Sequence, residues 1–187
     1  MKYKGLELEQ DVNTLDVFRD FLSKEKFDVI IELGTKYGGL TQFLTELHNN
    51  IHTFDIGNYM NSAQIDYLLA SGTMIYIEDI FETNTVSNLM QNNKRILLLC
   101  DNGNKIREVQ RFTPYLKKHD VILAHDYFPT ENDVYHVVGP PAYGDKPKTV
   151  RRWSSHEISD KDVDYDVLEP FFAKEFEAVF WLCCRRK

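Results

Sequence analysis

Short apolar runs alternate with segments of helical character along the first two-thirds of the chain, and this alternation constrains the fold more than any other feature. The connections between them are short. Such alternation predicts βα units and a mostly parallel sheet, and near-continuous apolar strands fit a sheet that helices cover on both faces. We therefore predict an α/β fold with a doubly wound sheet. The predicted strands are Asp28–Glu32, Ile51–Asp55, Thr73–Ile77, Arg95–Cys100 and Val121–Ala124.

The helical segments complete this pattern, which changes after Asp126. We predict helices over Asn13–Lys24, Leu40–His48, Ser62–Leu69, Thr85–Asn92 and Lys105–Lys117. The stretch 127–155 is rich in proline and glycine and is predicted to be a long irregular loop. A helix near Tyr165–Phe176 and a strand over Ala178–Cys184 follow. We predict a single domain over residues 1–187 with a loop insertion at 127–155.

Composition and charge exclude several classes of protein. The 187 residues carry a formal net charge of −7, which counts against a nucleic-acid binder driven by electrostatics. No apolar run approaches the ~20 residues of a membrane-spanning helix, and the first residues lack the pattern of a signal peptide. We therefore expect a cytoplasmic protein without a membrane partner. The three cysteines lack CxxC spacing, so we expect reduced, buried thiols.

A glycine-rich turn follows the first predicted strand, in the run from Glu32 to Leu40, ELGTKYGGL. Glycines at this place let the backbone turn sharply and approach a ligand closely, and the next helix offers free N–H groups. Asp55 ends the second strand 21 residues after Gly34, where an acid reaches the ribose hydroxyls of an adenosine-containing ligand. The acidic turn Glu78-Asp79 follows the third strand, where an adenine ring would lie.

The spacing in this turn separates two cofactors. A dinucleotide fold favours G-x-G-x-x-G with a pyrophosphate on the helix, but Lys36 occupies the place of the second glycine. The Glu32 carboxylate would repel a pyrophosphate, whereas it can interact with the cationic amino-acid end of S-adenosylmethionine. The run resembles the first motif of class I S-adenosylmethionine-dependent methyltransferases, and it is closest to the O-methyltransferase form, acid-x-Gly-Thr-x-x-Gly-x-Ser. Leu40 departs from that form, because serine is common there.

The resemblance implies a Rossmann-like class I methyltransferase fold and a cofactor site for S-adenosylmethionine. The residues predicted at the cofactor, from the strand ends and from the resemblance together, are Glu32, Gly34, Thr35, Gly38, Gly39, Asp55, Glu78, Asp79 and Asp101.

A second group of polar residues ends the fourth and fifth predicted strands. Asp101, His125 and Asp126 should converge there, since these strand ends face the crevice at the topological switch point. Two carboxylates and an imidazole form a plausible site for a divalent cation. By resemblance to metal-dependent O-methyltransferases, such as catechol O-methyltransferase and the cephalosporin hydroxylase and rhamnosyl O-methyltransferase group, these positions match a metal triad. His125 departs from the all-oxygen pattern, so it would favour Mn²⁺ or Fe²⁺ over Mg²⁺, or act as a base.

The same resemblance assigns catalytic roles to Asp101, Lys105 and His125. In the catechol enzyme a lysine shortly after the fourth-strand aspartate acts as base. Lys105 lies four residues after Asp101, whereas the family spacing is three and that position holds Asn104. A solvent-facing helix lysine is the alternative interpretation of Lys105.

The predicted function is methyl transfer from S-adenosylmethionine to an oxygen of a small hydroxylated acceptor such as a sugar. A divalent cation, Mg, Mn or Fe, would assist it. The long loop or a partner subunit of a homo-oligomer would complete the acceptor pocket. Two alternatives keep the fold: a metal-dependent hydroxylase of the cephalosporin hydroxylase type, and a non-catalytic S-adenosylmethionine-binding protein. Lys36 and Glu32 disfavour an NAD-binding domain.

Overall fold

The computed structural model describes residues 2–129 and 157–187. Its strands are β1 (Lys2–Tyr3), β2 (Leu6–Glu7), β3 (Val29–Leu33), β4 (Ile51–Asp55), β5 (Met74–Ile77), β6 (Ile96–Cys100), β7 (Val121–His125), β8 (Tyr127–Phe128), β9 (Ile158–Ser159), β10 (Leu168–Pro170) and β11 (Trp181–Arg186). Its α-helices are α1 (Thr14–Lys24), α2 (Gly39–Leu44), α3 (Ser62–Ala70), α4 (Thr85–Asn92), α5 (Lys105–Phe112) and α6 (Ala173–Glu177), and 3₁₀ turns cover Thr113–Tyr115 and Asp160–Asp162.

Seven of these strands form the central sheet, in the order β10-β11-β7-β6-β3-β4-β5. The five strands from β7 to β5 are parallel, and β11 runs antiparallel between β7 and β10. The five parallel strands are the five that the apolar runs predict. The prediction of a doubly wound, mostly parallel α/β sheet is confirmed.

Helices cover both faces of the sheet because successive strand residues point to opposite sides. In β3, Val29 and Ile31 belong to one apolar cluster, and Ile30 belongs to the other. The first cluster includes residues of α4 and α5, and the second includes residues of α1, α2 and α6. All of β3 and β6 is buried, so these central strands form the base of the core.

The predictions for the last third of the chain need correction. The helix predicted near Tyr165–Phe176 is wrong for most of this stretch, which contains β10, and α6 begins only at Ala173. Pro170 lacks an N–H and cannot extend a helix, but it is tolerated in an edge strand paired with β11. The predicted loop 127–155 begins instead as strand β8, which pairs with β9. Most of that predicted loop lies outside the described residues.

Two smaller features also bear on the predictions. The helices predicted to reach His48 and Lys117 end at Leu44 and Phe112, and a 3₁₀ turn containing Pro114 follows the second of them. Within the described parts of the chain, no helix is long and apolar enough to cross a membrane.

The sheet topology places one crevice at the carboxyl ends of the parallel strands. The chain runs outward from β3 through β4 to β5, and then returns to place β6 on the other side of β3. The connections therefore leave β3 and β6 in opposite directions, which opens a crevice between their ends. The register pairs Leu33 with both Phe54 and Cys100, so the residues that come next, Gly34, Asp55 and Asp101, lie level with one another.

Candidate functional site

A cavity of about 630 Å³ opens at this switch point. Its walls come from the glycine turn after β3, the end of β4, the turn after β6, the end of β7 and the chain that follows β2. The volume lies within the range of roughly 300–1,000 Å³ that small-molecule and cofactor sites occupy. Its position agrees with the rule that open α/β sheets bind ligands outside the carboxyl ends of the strands.

The glycine turn brings the ends of β3 and β6 into direct backbone contact. Gly34 has φ +106°, and a Cβ atom there would lie 2.4 Å from the carbonyl oxygen of Asp101. The Asp101 N–H donates to the carbonyl oxygen of Leu33 at 2.8 Å. Only glycine permits this approach, because any side chain would push the two strand ends apart.

Glu32 is the centre of a buried hydrogen-bond network beneath the turn. Its Oε2 accepts hydrogen bonds of 2.6 Å from the hydroxyls of Thr41 and Thr53, and the Thr53 oxygen lies 2.6 Å from the Thr35 hydroxyl. Burial raises the pKa of Glu32 to about 8, although both threonine hydrogen bonds lower it. The carboxyl is 1% exposed and does not line the cavity, so it ties the turn to α2 and β4 instead of facing a ligand.

Asp55 lines the cavity at the end of β4, on the other side of the turn. Its Oδ2 accepts a hydrogen bond of 2.8 Å from the backbone N–H of Lys36, a residue with φ 46°, and its Oδ1 accepts one of 3.3 Å from Gly57. A carboxylate oxygen has two lone pairs, so both oxygens can accept further hydrogen bonds from a ligand. The next residue, Ile56, and the nearby Tyr59 also line the cavity and are 64% and 54% exposed.

Four charged or titratable side chains meet on the opposite wall. The Nδ1 of His125 lies 2.9 Å from Asp101 Oδ1 and 3.7 Å from Asp126 Oδ1. The Nζ of Lys105 lies 2.9 Å from Asp126 Oδ2 and 3.9 Å from Asp101 Oδ1. Strand β7 ends at His125, and Asp126 has φ 56°, so the strand's alternation stops and both residues reach the cavity.

Two residues outside the predicted motifs orient Asp101. The Gln10 amide donates a hydrogen bond of 2.7 Å to Asp101 Oδ2, and the Trp181 indole donates one of 2.9 Å to Gln10 Oε1. An indole N–H only donates, so it fixes which end of the Gln10 amide faces Asp101. The ring of His125 packs against Trp181 with centroids 4.9 Å apart. The described contacts therefore hold Asp101 and His125 in one arrangement.

Glu108 fixes the turn between β6 and α5. It is fully buried, and its carboxylate accepts hydrogen bonds from the N–H groups of Asn102 and Asn104 at 3.5 and 3.3 Å. Burial raises its pKa to about 7, while the nearby Lys105 lowers it. By holding the turn that directly precedes α5, this carboxylate fixes the position of Lys105, the first residue of that helix.

The arrangement of this wall does not fit a divalent cation. Within residues 2–129 and 157–187, no set of three His, Cys, Asp or Glu side chains is placed so that it could hold a metal ion. The physical reason lies in Lys105, whose ammonium pairs with both Asp101 and Asp126. A metal ion at ~2.0–2.6 Å from those carboxylate oxygens would lie close to the positive ammonium of Lys105, which would repel it. The metal site at Asp101, His125 and Asp126 thus stays a prediction, and Lys105 opposes it.

The predicted site residues divide into two groups. The structure brings most of them together on the cavity wall, namely Gly34, Thr35, Gly39, Asp55, Asp101, Lys105, His125 and Asp126. Four others do not line it. Glu32 lies beneath the turn, Gly38 packs against Met60, Glu78 accepts a hydrogen bond from Thr83, and Asp79 accepts one from the N–H of Phe81.

Sequence reasoning missed part of the cavity wall. Ile56 follows the predicted Asp55 directly and Tyr59 comes shortly after it, and their apolar character close to that acid is a signal that could have found them. Gln10 belongs to a polar segment before the first predicted helix, and no motif or spacing marks it. Its role depends on contacts with Asp101 and Trp181, which lie 91 and 171 residues away.

Known structures share this fold at low sequence identity. CmcI, also solved with Mg and SAM, aligns over 67% of this chain and 57% of its own, with 15% identity and a TM-score of 0.54 for the apo structure. A SAM-dependent O-methyltransferase from Thermotoga maritima aligns over 94% of this chain and 65% of its own, with 12% identity and a TM-score of 0.52. The tRNA (m1A58) methyltransferase TrmI from Aquifex aeolicus aligns over 98% of this chain and 73% of its own, with 12% identity and a TM-score of 0.52.

These likenesses concern the fold. The chain spans 57% of the length of CmcI, and 65% of the Thermotoga enzyme. No protein-family model and no curated protein matches the chain. The mostly parallel seven-stranded sheet with its helices matches the fold of these solved structures, and the chain has the fold of class I S-adenosylmethionine-dependent methyltransferases.

Proposed function

We propose that the chain binds S-adenosylmethionine in the 630 Å³ cavity and transfers its methyl group to an oxygen of a small hydroxylated acceptor, such as a sugar. The observation that carries this proposal is the charge of the cavity wall. Five carboxylates line it, against two lysines and one histidine. Such a wall favours a cationic ligand and disfavours the pyrophosphate of a dinucleotide. S-adenosylmethionine carries a sulfonium and an ammonium group.

The two ends of the cavity suit the two ends of this cofactor. Asp55 can accept hydrogen bonds from the ribose hydroxyls, as acids at the end of the second strand do in nucleotide-binding folds. Ile56 and Tyr59 offer exposed apolar and aromatic surface beside it, on which an adenine ring can pack. Asp101, on the opposite wall, supplies negative charge for the cationic end. The structures of CmcI solved with SAM and SAH support this choice of cofactor.

Methyl transfer needs positioning and one proton acceptor. The acceptor oxygen attacks the sulfonium methyl carbon in line; the new C–O bond forms as the C–S bond breaks, and S-adenosylhomocysteine leaves as a neutral thioether. Asp101 accepts the Nδ1–H of His125, which leaves Nε2 to take the proton of the acceptor hydroxyl. The Asp101 carboxylate also stabilises the imidazolium that results. Gln10 and Trp181 act as positioning residues for this pair.

A screen of small hydroxylated compounds, with S-adenosylhomocysteine release as the readout, tests this function. We expect at least one sugar or related polyol to give release that depends on the protein. The variant His125→Ala should slow that release by about 100-fold or more, because it removes the general base. Calorimetry with S-adenosylhomocysteine on the same variant separates lost chemistry from lost cofactor binding. Full turnover by His125→Ala would contradict the assigned role.

A further inference from the structure

Lys105 is a buried cation in the place where the family resemblance puts a metal ion. It is 7% exposed, although lysine is almost never buried unless it is paired. Its Nζ lies 2.9 Å from Asp126 and 3.9 Å from Asp101, the two carboxylates of the predicted triad. These aspartates follow the adjacent strands β6 and β7, so the ammonium bridges the ends of two strands.

The position of Lys105 in its helix makes this pairing informative. It is the first residue of α5, where the helix dipole disfavours a positive charge. The helix dipole therefore does not stabilise the ammonium at this position, and the attraction comes from the two carboxylates. A solvent-facing lysine, the alternative interpretation of this residue, would be exposed instead.

The other ligand positions of the predicted triad are also engaged. Asp101 Oδ2 accepts from Gln10 at 2.7 Å, and Asp101 Oδ1 lies 2.9 Å from His125 Nδ1. That ring nitrogen donates to the carboxylate, so it cannot at the same time bind a metal ion. A divalent cation held by both carboxylates and by Nδ1 of His125 would have to displace the ammonium and break the His125–Asp101 hydrogen bond.

We propose that the ammonium of Lys105 is a built-in replacement for the divalent cation. On this view the chain binds no divalent ion at Asp101, His125 and Asp126, and Lys105 supplies positive charge beside the acceptor oxygen. Its role in the reaction rests on the proposed methyl transfer, where a fixed cation would stabilise negative charge developing on that oxygen. The exclusion of the metal ion does not depend on that function.

Binding of Mn²⁺ to the full chain, freed of metal by chelation, tests the proposal without any activity measurement. Electron paramagnetic resonance reports the loss of the free Mn²⁺ signal during a titration. We expect the wild type to show no saturable binding, and Lys105→Ala to gain a site for one Mn²⁺ per chain. Lys105→Met, which keeps most of the side-chain volume, serves as a second variant if Lys105→Ala does not fold.

Two further variants show where any bound Mn²⁺ lies. Lys118→Ala removes an exposed lysine and changes the net charge equally, so it should behave like the wild type. Adding Asp126→Asn to Lys105→Ala should abolish the gained site. Saturable binding by the wild type that Asp126→Asn removes would overturn the proposal. Absence of binding in both Lys105 variants would overturn the claim that Lys105 occupies the place of a metal ion.

An activity arm separates this proposal from the proposed function. If an acceptor is found, methyl transfer by the wild type should be unchanged by chelation, and Lys105→Met should lose turnover while keeping affinity for S-adenosylhomocysteine. Methyl transfer that chelation abolishes and Mn²⁺ restores would refute the built-in cation and leave the methyltransferase standing. If no methyl transfer is found, the Mn²⁺ titration still decides whether Lys105 excludes the ion.

Discussion

Single residues set the chemistry of the glycine turn, and Glu32 has the least obvious role among them. Its carboxyl connects Thr35 on the turn, through Thr53, with Thr41 on α2. With a pKa raised to about 8 by burial, it is largely uncharged near neutral pH. It therefore supports the cofactor turn from below, whereas the sequence places it at the cationic end of the cofactor.

Replacing Glu32 by glutamine should change how stability depends on pH. The pKa of Glu32 is about 8 in the folded chain, against 4.5 for the free side chain, so the folded state binds the proton more tightly. The tighter proton binding of Glu32 contributes to the free energy of unfolding. This contribution is fully present below pH 4.5 and is lost as the pH rises towards 8. Glu32→Gln is neutral throughout, so it should gain on the order of 2–4 kcal/mol relative to the wild type between pH 5 and 8.

Urea unfolding of both proteins at several pH values measures this difference. The exposed Glu82→Gln is a matched control, and its unfolding free energy should follow that of the wild type. Parallel pH profiles for the wild type and Glu32→Gln would show that Glu32 is ionised in the folded chain.

Asp55 is the residue whose ligand contact is easiest to isolate. The variant Asp55→Ala should weaken binding of S-adenosylhomocysteine by about 10- to 100-fold, because it removes hydrogen bonds from the ribose to a charged group. Calorimetry measures the affinity directly, and the exposed Asp66→Ala controls for the change in net charge. Unchanged affinity in Asp55→Ala would mean that the ribose lies elsewhere.

Between elements, the contact of the N-terminal segment with α2 closes one side of the cavity. A Cβ atom on Gly39 would lie 2.3 Å from the carbonyl oxygen of Glu7. The same segment continues to Gln10, which holds Asp101. Gly39→Ala should therefore displace the segment, lower the free energy of unfolding by about 1–3 kcal/mol and weaken ligand binding. Chemical unfolding checks the first effect and calorimetry the second.

Gly103→Ala is the matched control for this substitution. A Cβ atom on Gly103 would meet no atom within 4 Å, so the unfolding free energy should change little. Equal stability of the Gly39→Ala and Gly103→Ala variants would show that the segment does not pack on α2 as described.

Most elements of this fold could be predicted from their apolar patterns, and those that could not depend on distant partners. Strands β3 and β6 are buried along their whole length, so their apolar composition identifies them. By contrast, β10 lies in the stretch Tyr165–Phe176, for which the sequence predicts a helix, and it forms a strand that pairs with β11. In the described part of the chain the two-residue strands β1 and β2 pair with each other, and neither contains an apolar run that the sequence could reveal.

The candidate site shows the same division. Gly34 and Asp101 follow strands and Asp55 ends one, so motif and spacing predict them at the crevice, and all three line the cavity. The pairing of Lys105 with Asp126 spans 21 residues and depends on how α5 leaves its turn, which Glu108 fixes. The residues next to Lys105 in the sequence do not indicate this pairing. The metal site at Asp101, His125 and Asp126 stays a prediction, and the structure places the Lys105 ammonium beside two of its residues.

At the scale of the whole molecule, one topological feature accounts for the position of the site. The reversal of strand order at β3 and β6 opens the cavity, and every residue of the proposed mechanism lines it or contacts a residue that does. The acidic wall of this cavity agrees in sign with the net charge of −7. Both favour a cationic ligand over a polyanionic one.

Thermal unfolding in the presence of S-adenosylmethionine, S-adenosylhomocysteine or NAD tests this account most directly. A ligand at 100 times its dissociation constant stabilises the folded state by about 2.7 kcal/mol. For a chain of this size we expect both sulfur compounds to raise the unfolding temperature by roughly 5–11 °C, and NAD to leave it unchanged. A shift with NAD alone, or with none of the three, would contradict the assignment of the cavity to S-adenosylmethionine.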